Sequence, residues 1–164
     1  MKKFLIATVL FVFVFNLNTK AQTTQDKRIR VVAVFAHPDD ADSKMSGTAV
    51  LLAKMGVAVK FVALTNGDAG HYAEGGGVLG QRRRAEAQRA AKKYGIDEYV
   101  VLNNHDGELL PDLNVRMQVI REIRKWNADV VFGLRPNDYH PDHRNAGKLV
   151  EDASYMVAVP NVAA

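Results

Sequence analysis

The chain contains no cysteine, so a disulfide framework is excluded and the fold must stand on its packed core. It has no internal repeat, no low-complexity tract and no Ser/Pro-rich linker, which argues against a solenoid or a string of domains. No apolar run approaches the ~20 residues of a membrane-spanning helix. The longest, Phe4–Phe15, is flanked by Met1, Lys2 and Lys3 and followed by Thr19 and Ala21. That is the layout of a signal peptide cut after Ala21, and it predicts a periplasmic or secreted protein.

An excess of basic charge is also missing once this leader is set aside. Residues 1–21 hold Lys2, Lys3 and Lys20 and no acid, so the formal charge of +4 falls to +1. Binding to nucleic acid or to a membrane surface is therefore not indicated. The remaining 143 residues suit one domain, placed at 28–160.

Four short Val-rich runs are present: "RVVAVFA" (30–36), "VAVKFVAL" (57–64), "EYVVL" (98–102) and "DVVFGL" (129–134). Each is continuously apolar, as in strands covered on both faces. Segments with helical spacing lie between and after them, at 44–55, 80–94, 113–126 and 144–156. Strict strand–helix alternation predicts an α/β fold: a Rossmann-like three-layer sandwich with a mainly parallel sheet and helices on both faces.

Ligands of such sheets bind beyond the carboxyl ends of the strands, and there the ionisable residues gather. "AHPDD" follows the first strand, "TNGDAG" the second, "NNHDGEL" the third and "RPNDYHPDH" the fourth. Any one His or Asp in a loop is ordinarily a cap or a solvated side chain. The same cargo at four strand ends points to a shared site.

His37 and Asp40 lie three apart, as do His140 and His143. Two imidazoles and a carboxylate make a donor set for a divalent ion such as Zn2+ with a position open for water; Fe2+ accepts the same set. Asp39, beside a ligand, is placed to take a proton from that water. His71 and His105 are lone loop histidines read as solvent-facing, and "EGGGVLG" as a mobile rim, because it lacks the Gly-Lys-Ser/Thr ending of a phosphate loop.

The "AHPDD" and "HPDH" pair, with "LTNGDAG", "RRRAE" and "HDGEL" between them, resembles the PIG-L/LmbE-like de-N-acetylases, zinc-dependent hydrolases of N-acetylglucosamine-type sugars and glycoconjugates. The resemblance implies His37, Asp40 and His143 as metal ligands and Asp39 as general base. It further implies His140 as oxyanion stabiliser or general acid, Asp142 as its positioning partner, and Arg83 and Asp106 as sugar-holding residues. The implied partner is a small-molecule N-acetylated sugar or glycoconjugate.

The chain departs from the family pattern in two places. Ala41 follows Asp40 where a Glu is usual, with Asp42 one position later, and the sequence ends at "MVAVPNVAA" soon after the helix that follows "HPDH". The second departure predicts a domain without its C-terminal portion and an exposed edge on the 129–134 strand. The rival readings are a non-catalytic metal-binding remnant of such an enzyme and a mononuclear iron oxygenase. The strand–helix alternation argues against the oxygenase.

Overall fold

A computed structural model describes residues 28–164; the leader at 1–21 lies outside the described residues. Nine elements follow in order: β1 (Arg30–Phe35), α1 (Asp40–Lys44), α2 (Ser46–Lys54), β2 (Ala58–Thr65), α3 (Gly76–Tyr94), β3 (Glu98–Asn104), α4 (Leu113–Trp126), β4 (Val130–Phe132) and α5 (Pro141–Met156). The four strands form one sheet in the order β3-β2-β1-β4, every pair parallel. Among the described residues no helix is long and apolar enough to cross a membrane.

Alternation along β1 shows how the layers are built. Val32 and Val34 point into a core with Val119, Ile120 and Ile123 of α4 and Leu149 of α5. Ala33 and Phe35 point the other way, toward Ala49 of α2 and Ala87 and Ala91 of α3. Period-two strands thus bury both faces, which is why the sequence reads as continuously apolar. On the second face Phe61 meets Phe35 and Tyr99 edge to face, each with centroids 5.5 Å apart, geometry that contributes roughly 0.5–1.5 kcal/mol per pair beyond area burial.

The helices end where local chemistry ends them. Asp112 caps α4 by accepting the Val115 N–H at 2.9 Å, and Asn127 closes it in the left-handed region at φ 50°. Buried Lys60 on β2 pairs with Glu122 of α4 at 2.7 Å, while the Trp126 indole N–H donates to the Val31 carbonyl at 2.9 Å. These contacts set the register of α4 across β1 and β2.

The structure corrects the sequence reading in three places. The helix expected at 44–55 is α2, but a further short helix, α1, precedes it, the two separated at Met45, whose φ of −140° is not helical. The glycine stretch read as a rim largely belongs to α3, which begins at Gly76 because Leu79 and Gly80 are buried. β4 is not covered on both faces: it has three residues, and Val130, Val131 and Phe132 are 39%, 38% and 45% exposed. It forms the sheet edge beside β1, and among the described residues no strand pairs with its outer side.

Strand order reverses at β1, since the chain moves outward through β2 and β3 and returns to place β4 on the opposite side. The crevice between the carboxyl ends of β1 and β4 is the binding position of such sheets. Gly147 lets α5 lie against the connection that leads there. A Cβ at this position would stand 2.5 Å from the Leu134 carbonyl oxygen and 3.0 Å from the Arg135 carbonyl carbon. In an open helix Gly→Ala gains about 1 kcal/mol; Gly147→Ala is expected instead to lose about 1–3 kcal/mol through overpacking, measured by urea unfolding.

Candidate active site and metal centre

The first loop leaves β1 with its backbone held from both sides. The Ala36 carbonyl accepts the Thr65 N–H at 2.8 Å and the Thr65 hydroxyl at 2.9 Å. The Tyr99 hydroxyl donates to the Pro38 carbonyl. Gly67 packs under Pro38 and Arg83, where a Cβ would meet their side-chain carbons at 3.1 and 3.2 Å, and its φ of 71° favours glycine in any case. His37 to Asp40 are thereby presented at the crevice, and "HPDH" arrives from the other side as the start of α5.

Asp40 joins the two. Its Oδ2 accepts the His37 backbone N–H at 2.8 Å and lies 3.3 Å from His37 Nδ1. Its Oδ1 lies 3.0 Å from His143 Nε2. The outward nitrogen of each imidazole is held by another carboxylate: His37 Nε2 is 3.0 Å from Asp106 Oδ1, and His143 Nδ1 is 3.0 Å from Asp138 Oδ1.

A ligating histidine characteristically has its second nitrogen anchored in this way, which fixes tautomer and ring orientation. The donor chemistry of His37, Asp40 and His143 therefore fits a divalent ion, with Asp106 and Asp138 as anchors. Among the described residues, the groups whose ligand atoms all lie within 4.8 Å of one another are His37 with His140 and His143, and His37 with Asp106 and Asp142; the expected set of His37, Asp40 and His143 is not among them, because Asp40 turns a different oxygen to each histidine. Both share His37, so the described chain has one such centre.

The remaining expected residues take distinct places around a cleft of about 730 Å3. Asp39 is exposed at its wall, with its carboxylate 3.5 Å from the Arg83 guanidinium. Of the three consecutive arginines only Arg83 lines the cleft. Arg84 donates to the Val101 carbonyl on β3, and Arg82 pairs with Glu74. The His140 ring is 4.8 Å from both the His37 and His143 rings.

Asp142 holds His140 through its backbone, the Asp142 N–H donating to His140 Nδ1 at 3.1 Å. The Asp142 carboxylate, 1% exposed, turns instead to His37 Nε2 at 3.2 Å and accepts the Gly107 N–H at 2.8 Å. Asp106 faces the cleft but gives one oxygen to His37. Ala41 is fully buried, so a carboxylate there would need a partner in the core. Asp42 has its own partner, the Tyr94 hydroxyl at 2.7 Å.

His71 accepts the Ala73 and Glu74 backbone N–H groups and His105 pairs with Asp68 at 2.8 Å; neither belongs to a ligand group. Sequence reasoning missed Asp138 and Lys44. Asp138 precedes "YHPDH" by one residue, and only the turn into α5 brings it beside His143. Lys44 carries a weak signal, because i,i+4 spacing on a helix puts it over Asp40; its ammonium is 2.9 Å from Asp40 Oδ1.

The carboxylates dominate the electrostatics. Burial alone would lower the His37 pKa, but hydrogen bonds and charge from Asp106 and Asp40 outweigh it and raise the group to about 10. For Asp40, burial pushes upward, and His37, Lys44 and His143 together hold it well below the usual carboxylate range. A group raised in the folded state adds stability below its unfolded pKa, lost as pH climbs through the folded value. The metal-free chain is therefore expected to melt progressively lower from pH 6.5 toward about 10, and His37→Gln to flatten that slope, measured by thermal scans in chelator.

Residues 32–154 match the family described as PIG-L, GlcNAc-PI de-N-acetylase. Diacetylchitobiose deacetylase of Thermococcus kodakarensis is 33% identical over 138 residues, covering 80% of this chain and 51% of the relative. The uncharacterized deacetylase YaiS of Escherichia coli is 27% identical, covering 77% and 69%. Among solved structures, N,N'-diacetylchitobiose deacetylase from Pyrococcus horikoshii, complexed with its inhibitor, superposes with a TM-score of 0.77 at 32% identity, covering 84% of this chain and 53% of that one. The chain spans about half the length of these two diacetylchitobiose deacetylases. With the family match running from β1 almost to the end of α5, and the same α/β fold in its solved relatives, this chain belongs to the PIG-L family of de-N-acetylases.

Proposed function

We propose that the chain carries the reactive centre of a hydrolase that removes the acetyl group from an N-acetylglucosamine-type sugar or glycoconjugate. The observation that carries this reading is Asp39, an exposed carboxylate steadied by Arg83 on the cleft wall, one residue from the buried His37–Asp40–His143 cluster. The names of the relatives supply the substrate class. The export-type pattern of residues 1–21 supports a substrate outside the cytoplasm.

His37, Asp40 and His143 would hold a divalent ion, zinc by the donor set, which supplies Lewis acidity toward the amide carbonyl and toward water. The residues of the chain account for the proton movements. Asp39 takes a proton from the attacking water as oxygen adds to the carbonyl carbon. Arg83 orients the Asp39 carboxylate at the cleft wall.

When the carbon–nitrogen bond breaks, acetate departs and the amine nitrogen needs a proton. His140 lines the cleft with its Nδ1 accepting the Asp142 N–H, so Nε2 is the nitrogen left to carry that proton or to bond the developing oxyanion. The N-terminal turn of α5, which His140 caps, adds its dipole at the same place.

With N,N'-diacetylchitobiose as substrate and acetate release as readout, Asp39→Asn is expected to lose activity by at least about 100-fold while retaining metal. His37→Ala and His143→Ala are expected to lose both metal and activity. Full activity in Asp39→Asn would remove the general-base assignment.

A further inference from the structure

Lys44 stands where no anchoring group is required. The two oxygens of Asp40 are held differently: Oδ2 is tied to the His37 backbone N–H at 2.8 Å, a contact set by the chain path. Oδ1, which faces His143 Nε2 at 3.0 Å, is shared with the Lys44 ammonium at 2.9 Å. The oxygen lying between Asp40 and the second ligand histidine is thus already occupied by a cation of this chain's own.

We infer that Lys44 is a built-in counter-ion of the proposed metal centre, occupying the His143-facing oxygen of Asp40 and lowering the affinity of the site for divalent ions. This rests on the reading of His37, Asp40 and His143 as ligands. Lys44 is a positioning residue, since it acts through Asp40.

Two physical arguments support the inference. Asp40 is 5% exposed, and a buried carboxylate without a positive partner is costly. Lys44 supplies such a partner in addition to His37. Once an ion is bound beside Asp40, the same ammonium is a like charge near it, opposed by Coulomb repulsion that the solvent at the cleft only partly screens. The contact therefore favours the metal-free state and disfavours the loaded one.

The surroundings give the ammonium somewhere to go. Lys44 lines the reactive cleft and also a neighbouring groove of about 510 Å3 beneath β4, whose walls include Phe35, Met45, Phe132 and the Asp138 residue that anchors His143. Its stem emerges from the last residue of α1, outside β1. Withdrawal into the groove would free Oδ1 and leave the His37 backbone contact intact.

The test compares the full chain with Lys44→Met, which keeps the apolar stem, and Lys44→Arg, which keeps the charge. Metal is stripped, zinc affinity is read by competition with a chromophoric chelator, and the thermal midpoint is read in the metal-free state. Lys44→Met is expected to bind zinc about tenfold more tightly or better, the size usual for groups contacting ligands, and to melt lower without metal. Lys44→Arg is expected to stay near the parent on both readouts.

Parent affinity matched or exceeded by no more than error in Lys44→Met would overturn the role of Lys44 while leaving the ligand assignment standing. Zinc bound by Lys44→Met but not by the parent would support the inference in its strongest form. No zinc bound by either would overturn the inference together with the ligand assignment. If Lys44→Met does not melt cooperatively, the same comparison is made with Lys44→Gln.

Discussion

The Asp40 carboxylate is the point on which the site depends. It is buried, it caps the His37 backbone, and it meets His37 on one oxygen and His143 on the other. Through it, the loop after β1 and the first turn of α5 are joined across the switch point of the sheet. A charged group so placed is tolerated only if every lone pair is answered. The answers are His37, His143 and Lys44, two of which are the residues a metal would need.

A second ring of carboxylates makes this arrangement directional. Asp106 and Asp142 approach His37 from the third strand end and from α5, and Asp138 approaches His143 from its own loop. The Asp138 carboxylate is held down by the His140 N–H and by His143 and Arg135, against the upward push of burial. Each imidazole is thereby held between Asp40 on one nitrogen and another carboxylate on the other. Preorganisation of this kind allows a small parallel sheet to serve as the base of the candidate site.

The weak side of the structure is β4. Three residues pair with β1, the apolar side chains stay partly exposed, and a groove lies beneath them. The loop that supplies His140, Asp138 and His143 leaves from this strand, so the least covered part of the sheet carries half of the centre. Close packing of α5 at Gly147 against Leu134 and Arg135 compensates.

The sequence by itself determined the parallel α/β fold, because period-two burial on both faces leaves continuous Val-rich runs and the segments between them keep helical spacing. It also determined the cluster of His37, Asp39, Asp40, His140 and His143, because strand ends of a parallel sheet converge whatever the details. Only tertiary structure decided that Asp142 turns its carboxylate to His37, that Asp106 shares itself between His37 and the cleft, and that Arg83 is the arginine facing Asp39. It also decided the roles of Asp138 and Lys44. Those outcomes depend on rotamers and loop paths across elements distant in sequence, and spacing along the chain carries no record of which oxygen meets which nitrogen.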